Sequence, residues 1–229
     1  MKQVVTNGIV LRRINYREAD RIITYLSPDQ GKIVVLARGV RKANSKLAGS
    51  IELFCSSQIT YLPGRGNIAM LISARLIKNL DHIVRDLDRT QLAYGVLKLI
   101  DKTLEDASGG EYYELLDAAL GFINDLNLDL KLTRLWIELQ FLQIMGHSPN
   151  ADTKTIKTAE TDTFNFDFER MEFVASENGN FSANHVKLFL LALANPPQQL
   201  KRIEGVDKLI EPLSELTQLI MINNGYDKL

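Results

Sequence analysis

Apolar residues in the first 80 positions fall into five short runs that turn-forming residues separate. The runs cover residues 8–14, 20–26, 32–37, 52–62 and 67–76. Apolar and polar positions often alternate within them, and Pro63-Gly64-Arg65-Gly66 before the last run is a turn signal, because proline fixes φ and glycine tolerates positive φ. The pattern predicts five strands, which is typical of a small closed barrel of the oligonucleotide-binding (OB) type, although SH3-like barrels have a similar strand count.

The hydrophobic period changes at about residue 83, where apolar residues begin to recur at spacings of three and four. Helices are predicted over residues 87–104, 112–126, 130–145, about 182–194 and about 205–222. The third helix is apolar on most sides, so we expect it at the centre of the helical half. Alternating phenylalanines at positions 164, 166 and 168, followed by the apolar segment 172–175, predict a short hairpin between the third and fourth helices.

These elements predict an α+β fold in two parts. A five-stranded OB-fold β-barrel is expected in residues 1–80, and an all-helical C-terminal domain in residues 81–229 with a short β-hairpin insertion at about 150–176. The longest apolar runs are far shorter than the roughly 20 residues that span a bilayer, and polar residues interrupt what would be the apolar stretch of a secretory signal. The sequence therefore predicts a cytoplasmic protein without a membrane span.

The formal net charge of −1 hides a strong division along the chain. Residues 1–80 contain 13 lysines and arginines and four aspartates and glutamates, a net charge of +9, whereas the other residues contain 14 and 24, a net charge of −10. A basic part of this kind attracts phosphates, which indicates a nucleic-acid ligand. The alternatives are a basic face that the acidic half balances across a domain interface, and a non-enzymatic scaffold whose basic barrel docks acidic protein segments.

The sequence shows no constellation of catalytic residues, so we expect no enzymatic activity. His82, His147 and His185 are far apart, and a single cysteine cannot form an internal disulfide or a cysteine-based zinc site. Cys55 lies in an apolar strand-like segment and is expected to be a buried, inert thiol. The acidic residues of the helical half are typical of a solvated face, although a magnesium-dependent nuclease is an alternative.

The most informative segment is the loop expected after the third strand. It carries Arg38, Arg41, Lys42 and Lys46, four cations within nine residues, with small residues between them. Such a loop can follow a sugar–phosphate backbone while its cationic side chains and backbone N–H groups contact phosphates. The segment therefore predicts a nucleic-acid contact.

Two further features of the barrel sequence concern such a ligand. Arg12 and Arg13 are adjacent on the first strand and must point to opposite faces, so at most one of them joins the same groove. Four aromatic residues are candidates for stacking on bases, although an aromatic in a small barrel is more often part of the core. They are Tyr16, Tyr25, Phe54 and Tyr61. We expect mainly electrostatic binding with little sequence preference.

A set of short motifs follows in order along the first 80 residues. They are Thr6-Asn7-Gly8-Ile9-Val10-Leu11, Tyr16-Arg17-Glu18-Ala19-Asp20-Arg21-Ile22, Gly31-Lys32, Ala37-Arg38-Gly39-Val40-Arg41-Lys42, Ser45-Lys46-Leu47-Ala48-Gly49 with Glu52-Leu53-Phe54, and Gly64-Arg65-Gly66. Each motif is common alone, but the whole set in this order is specific. In this set the chain resembles the RecO recombination mediators of bacteria.

The resemblance to RecO implies an OB-type barrel followed by a helical domain, in agreement with the periodicity. It also implies a DNA repair and recombination mediator that binds single- and double-stranded DNA, anneals complementary strands and acts with RecR to load RecA onto single strands coated by single-strand-binding protein. Such a protein is expected in the cytoplasm, associated with the nucleoid when it is on DNA. DNA contacts are expected first at Arg38, Arg41, Lys42 and Lys46, next at Lys32 and Arg65, and from charge alone at Arg12 or Arg13.

The second half resembles the family at Gly146-His147-Ser148-Pro149, which is similar to the Gly-x-x-Pro after the central helix of RecO proteins. Many members then present a four-cysteine zinc module, but residues 150–175 contain no cysteine. The comparison with RecO therefore implies no zinc or other cofactor, and a hairpin lobe that packing holds together. In the first half, Glu18-Ala19-Asp20 is interpreted as a turn that pairs with Arg17 or Arg21 rather than as a catalytic carboxylate pair.

Overall fold

The five predicted strands form in the segments where apolar and polar residues alternate. The computed structural model describes residues 2–64, 66–104, 109–150 and 161–229. Its first strands are β1 (Val4–Tyr16), β2 (Asp20–Ser27), β3 (Gly31–Ala37), β4 (Cys55–Leu62) and β5 (Ala69–Asn79). In β3 every second residue is buried, because one side of the strand faces the interior and the other faces outwards.

The strands close into a barrel in the order β1-β2-β3-β5-β4. Neighbouring strands are antiparallel except β3 and β5, which run parallel and pair Val35 with Ala69 and Leu36 with Met70. β1 completes the closure because its first half pairs with β4 and its second half with β2. A closed five-stranded barrel of this kind is OB-like, and the predicted fold class is confirmed.

Inward-facing aliphatic and aromatic side chains fill the barrel. Val10, Ile23 and Val35 are fully buried, and Tyr25 lies among them. Burial raises the pKa of Tyr25 far above its ordinary value. A Cβ atom at Gly8 would lie 2.9 Å from Tyr25 Cδ1, so β1 and β2 reach this spacing only with glycine at that position.

Helices follow the barrel and pack on it. They are α1 (Asp81–Arg85), α2 (Leu87–Thr103) and α3 (Gly110–Asn124). The Asp86 side chain caps α2 by accepting a hydrogen bond from the Arg89 N–H at 3.0 Å. Because α2 contacts β1 and α3 contacts β2, these helices form one compact unit with the barrel, Met1–Asn124. The predicted domain boundary at residue 80 lies between the last strand of the barrel and the first helix. As a boundary between domains it stays a prediction.

The entrance to α3 lies very close to the turn between β2 and β3. A Cβ atom at Gly109 would be 2.3 Å from the Ser27 carbonyl oxygen and 2.7 Å from the Gly31 Cα. Neither backbone atom can move without shifting the strands. This position therefore requires glycine, and the contact fixes α3 on the barrel.

Residues Asp125–Leu229 form the second compact unit. Its helices are α4 (Leu130–Ile144), α5 (Ala183–Ala194), α6 (Pro197–Leu200) and α7 (Asp207–Asn223). As expected for a central helix, α4 contacts α5, α6 and α7. The sequence did not predict the short helix α6, because proline usually interrupts a helix. Pro197 is tolerated because it lies in the first turn, where a missing backbone N–H breaks no hydrogen bond within the helix. No helix in the described part of the chain is long and apolar enough to cross a membrane.

The predicted hairpin is part of a three-stranded sheet. Its strands are β6 (Thr163–Asp167), β7 (Glu172–Ala175) and β8 (Phe181–Ser182), in the order β7-β6-β8. Phe173 meets Phe166, Phe181 and Phe189 edge to face, with ring centroids 5.2, 5.5 and 5.3 Å away. Aromatic packing therefore holds this sheet against α5. Residues 151–160 of the predicted lobe lie outside the described residues.

Helix α4 places one carboxyl group in the interior of the second unit. Glu138 is fully buried, and no side chain of the described residues donates a hydrogen bond to its carboxylate oxygens. Burial raises the pKa of Glu138 to about 8, and the charge of Arg134 one turn earlier and a hydrogen bond with the Leu229 backbone offset this rise only in part. The group is therefore mostly protonated at neutral pH.

Candidate nucleic-acid interface

The loop that follows β3 displays four cations on the surface. Arg38, Arg41, Lys42 and Lys46 are exposed, and none of them forms an ion pair with a carboxylate of the described residues. Val40 lies among them but is buried in the barrel core, so it pins the loop to the barrel. The four side chains are therefore available to an anionic ligand.

The turn between β1 and β2 holds this loop in place. The Asp20 carboxylate accepts a hydrogen bond from the Gly39 N–H at 2.8 Å, and the Ala19 carbonyl accepts one from the Arg41 N–H at 2.9 Å. The Arg41 guanidinium also donates to the Glu18 carbonyl at 3.2 Å. Gly39 has a φ of +64°, which lets the chain turn sharply after β3. Residues 18–20 therefore have a structural role, as interpreted from the sequence.

Elsewhere on the barrel, helices α2 and α3 pair with its cations. Asp101 on α2 lies 3.2 Å from Lys32 Nζ and 3.7 Å from Arg12 Nε. Lys32 also donates a hydrogen bond to the Asp101 carbonyl, and only 19% of its side chain is exposed. Asp117 on α3 lies 2.5 Å from Lys78 on β5. Two of the predicted DNA contacts, Lys32 and Arg12, are therefore engaged by an acidic residue of their own unit.

Glu52, which precedes β4, binds two arginines of the neighbouring strands. One carboxylate oxygen accepts a hydrogen bond from Arg13, and the other accepts one from Arg21 at 3.1 Å. Arg12 and Arg13 thus contact different elements, as the alternation of side chains along a strand predicts. Arg21 pairs with Glu52 rather than with the carboxylates of residues 18–20. Arg65, the remaining predicted contact, lies outside the described residues.

An open groove of about 510 Å³ adjoins the basic loop on the barrel surface. Strand register brings together three outward-facing apolar residues on its floor, because Leu36 of β3 pairs with both Ile22 of β2 and Met70 of β5. Arg38 and Tyr16 also line the groove. Sequence reasoning missed this groove, since it depends on the parallel pairing of β3 with β5, which are far apart in the sequence.

Of the four aromatic candidates, three belong to buried positions. Tyr25, Phe54 and Tyr61 are at most 6% exposed, whereas Tyr16 is 38% exposed. Tyr16 is the last residue of β1, and the guanidinium carbon of Arg17 lies 5.2 Å from its ring centroid, a cation–π contact. Tyr16 is therefore the candidate that a base can reach.

Nucleophilic and metal-binding side chains do not gather at this interface. Cys55 is a buried free thiol, and burial together with the Glu52 carboxylate raises its pKa, so it is inert as expected. Within the described ranges, no three His, Cys, Asp or Glu side chains lie close enough to hold a metal ion. The absence of a cofactor stays a prediction. The described part of this surface combines four exposed cations on the loop with an apolar groove beside them.

Comparison with known proteins relates both halves of the chain to one family. The family model described as "Recombination protein O N terminal" matches residues 1–80, and the one described as "Recombination protein O C terminal" matches residues 84–224. The DNA repair protein RecO of Syntrophus aciditrophicus is 32% identical over 149 residues, which are 64% of this chain and 57% of that protein. The DNA repair protein RecO of Listeria welshimeri is 34% identical over 160 residues, which are 69% and 62% of the two chains.

These two matches cover less than two thirds of the relatives' own length. A longer match, to the DNA repair protein RecO of an Exiguobacterium species, is 26% identical over 226 residues, or 96% of this chain and 87% of that protein. The N-terminal family model ends next to the end of β5, and the C-terminal model covers the helices and the small sheet that follow. On this evidence the chain belongs to the RecO family.

Proposed function

We propose that this chain is a DNA repair and recombination mediator that binds single- and double-stranded DNA and does no covalent chemistry on it. It anneals complementary strands and, with RecR, helps to load RecA onto single-stranded DNA coated by single-strand-binding protein. It acts in the cytoplasm, on the nucleoid, without zinc or another cofactor.

The observation that carries this proposal is the exposed basic loop after β3. Four cations lie within nine residues and lack carboxylate partners among the described residues, so phosphates meet no competing anion there. Buried Val40 and the Asp20–Gly39 hydrogen bond hold the loop in place before a ligand arrives. A loop that is ordered in advance loses little conformational entropy on binding.

Annealing and partner binding follow from the distribution of charge. Two DNA strands repel each other, and a basic surface that both can approach reduces this repulsion. Residues 125–229 carry 15 acidic and 10 basic side chains, a net charge of −5, which disfavours contact with DNA and favours protein partners such as RecR.

The test removes charge from the loop without disturbing its attachment. Lys42→Ala with Lys46→Ala is preferable to a substitution of Arg41, whose guanidinium also donates to the β1–β2 turn. We expect affinity for a labelled single-stranded oligonucleotide, measured by fluorescence anisotropy, to fall about ten-fold at low salt. The slope of log K against log salt concentration should shrink by about 1.4, because two phosphate contacts are lost. Strand annealing in the same samples should slow in parallel.

The matched control is Lys187→Ala with Lys208→Ala, which removes the same charge from exposed positions of the second unit. Its affinity should stay within about two-fold of the unmodified chain. Equal losses in both double variants would contradict the assignment of the loop. If the unmodified chain binds no DNA at low salt but retains an acidic peptide, the scaffold alternative is correct, and magnesium-dependent cleavage that chelation abolishes would instead identify a nuclease.

A further inference from the structure

We propose that Glu52 is a positioning residue for DNA binding, because it stabilises the β1–β2 hairpin that holds the basic loop. Its carboxylate bonds to Arg13 and Arg21 of the hairpin rather than to a cation of the loop. These three residues are called the ion cluster below. The inference rests on the proposed function and extends it to a residue that acts on DNA affinity without contacting the ligand.

The tip of the hairpin extends beyond the part of the barrel that the core stabilises. Ile23 and Tyr25 are fully buried, whereas Ile14 is 49% exposed and Tyr16 is 38% exposed. Arg17 in the turn has a φ of +51°, a conformation that costs energy for a residue with a side chain. A segment with few buried apolar contacts opens more easily than the core. The tip therefore depends on polar contacts to keep its position.

The two arginines of the ion cluster lie on the inner side of the hairpin. Strand pairing sets Arg13 opposite Ile23, which belongs to the barrel core, and residues opposite each other point to the same side of a sheet. Arg21 is two residues before Ile23 on β2 and shares that side. The exposed fractions of the two arginine side chains are only 29% and 22%. Cations that have lost this much water need an anionic partner, and Glu52 supplies it.

Glu52 itself stands on a support that the barrel fixes. The preceding residue, Ile51, is fully buried in the barrel core. Two residues further on, Phe54 has a φ of +62°, is 3% exposed, and meets Tyr94 edge to face with ring centroids 5.1 Å apart. A residue with a side chain keeps such a conformation only where its surroundings fix it. The carboxylate therefore ties the hairpin to a rigid part of the barrel.

The hairpin passes this restraint on to the basic loop. Arg21 directly follows Asp20, which accepts the hydrogen bond from the Gly39 N–H at 2.8 Å. Ala19 accepts the hydrogen bond from the Arg41 N–H at 2.9 Å. The two residues that hold the start of the loop are thus next to an arginine of the ion cluster. Loss of the cluster loosens the tip, and a loose tip no longer orders the loop before DNA arrives.

Net charge alone predicts the opposite effect of a substitution at this position. Glu52→Gln raises the net charge of the barrel by one, which by itself favours DNA. The two arginines point to the inner side and are largely shielded from solvent, so they do not become phosphate contacts. The loss of order in the loop should therefore outweigh the gain in charge. The sign of the change in affinity separates the two explanations.

The experiment compares Glu52→Gln with Asp29→Asn, which removes an equal charge from an exposed position between β2 and β3. In fluorescence anisotropy at low salt, Glu52→Gln should bind single-stranded and duplex DNA about three-fold more weakly, while the control stays within about two-fold of the unmodified chain. Amide hydrogen exchange without DNA should accelerate at Gly39 and Arg41 in Glu52→Gln alone, although neither amide bonds to Glu52.

A rescue variant exchanges the two charges of one ion pair. Arg21→Glu with Glu52→Arg keeps the composition and the net charge and again brings opposite charges together. Its DNA affinity should return to within about two-fold of the unmodified chain, with slow exchange at Gly39. Thermal unfolding shows whether each variant is folded, and Glu52→Gln alone decides the matter if the rescue variant does not fold.

Three results would overturn the positioning role. They are an affinity of Glu52→Gln equal to or above that of Asp29→Asn, unchanged exchange at Gly39 and Arg41, and a folded rescue variant that binds as weakly as Glu52→Gln. Absence of binding by the unmodified chain to every strand at low salt would instead refute the proposed function. The exchange measurement needs no DNA, so it tests the link from Glu52 to the loop in either case.

Discussion

The barrel carries its cations in two settings, and only one of them leaves the charge available to a ligand. Where α2 and α3 pack, Lys32 and Arg12 share Asp101, and Lys78 pairs with Asp117. On the loop after β3 the cations have no carboxylate partner in the part of the chain that the structure describes. The residue types are the same, but their surroundings differ.

The net charge of +9 for residues 1–80 therefore overstates what a phosphate meets. Carboxylates on the helices cancel positive potential where they pack, and the loop keeps four exposed cations without such a partner among the described residues. The sequence analysis raised the alternative that carboxylates of the acidic half balance the basic face of the barrel. This alternative describes the part of the barrel on which the helices pack. The phosphate-binding interpretation concerns the loop and stays a prediction.

The largest effect is expected at Glu138, a fully buried carboxyl group for which Arg134 and the Leu229 backbone offset the cost of burial only in part. Its pKa is about 8 in the folded chain and near 4.5 when unfolded, so the unfolded state releases its proton first as pH rises. Between about pH 5 and pH 8 the free energy of unfolding should fall by up to about 1.4 kcal/mol per pH unit on this account. Glu138→Gln removes that fall and stabilises the second unit at pH 8 by about 2 to 4 kcal/mol.

Urea unfolding followed by the fluorescence of Trp136, the single tryptophan, reports on this unit because Trp136 lies on the same helix. The control is Glu215→Gln, which removes an exposed glutamate from α7. It should leave the pH dependence as it is in the unmodified chain. Parallel pH profiles for Glu138→Gln and the unmodified chain would show that the buried carboxyl group is already satisfied.

A substitution at Asp101 removes the carboxylate that pairs with two cations of the barrel. Asp101→Asn removes the carboxylate that neutralises Lys32 and the exposed Arg12, while Lys32 keeps its hydrogen bond to the backbone carbonyl of residue 101, so affinity for single-stranded DNA at low salt should rise roughly three- to ten-fold and become more salt-sensitive. The first unit should lose about 1.5 to 3 kcal/mol of stability, because Lys32 and Asp101 are largely buried. Anisotropy titrations and thermal unfolding measure the two effects.

Asp88→Asn is the matched control, since Asp88 is an exposed aspartate on the same helix. It changes the net charge equally without releasing a barrel cation. If both substitutions raise the affinity by the same factor, overall charge rather than local pairing decides where DNA binds.

The smallest effect is expected at the attachment of the loop. Asp20→Ala removes the acceptor of the Gly39 N–H, so the loop should become more mobile and amide hydrogen exchange at Gly39 should accelerate. Glu18→Ala removes the same charge, but Glu18 contacts the loop through its backbone carbonyl and keeps that contact. Asp20→Ala should bind single-stranded DNA about three-fold more weakly than Glu18→Ala. Identical affinities would show that the turn does not prepare the loop for binding.

Alternation and helical periodicity predicted the elements because they depend on neighbours along the chain. Their ends were harder to predict. β1 begins at Val4 rather than near Gly8, because its first residues pair with β4. β4 begins at Cys55 rather than at residue 52, because Phe54 has a φ of +62° and cannot continue a strand.

The candidate site was predictable only where its residues are close in sequence. The loop from Arg38 to Lys46 was found because its cations are clustered. The ion pair of Lys32 with Asp101 joins β3 to a helix far along the chain, so no local sequence pattern predicts it. The same holds for the contact between Leu36 and Met70 that makes the floor of the groove.

At Gly109 the backbone before α3 lies directly against the backbone of the β2–β3 turn, with no side chain between them. The stability of α3 therefore depends on the stability of that turn. Such surfaces cannot separate a little without admitting water, so the barrel and its helices are expected to lose protection from exchange together, as one foldon spanning Met1–Asn124. A polypeptide cut near residue 80, where the N-terminal family model ends, keeps all five strands but lacks the helical part of this foldon. Its barrel is expected to open more readily than the same barrel in the whole chain.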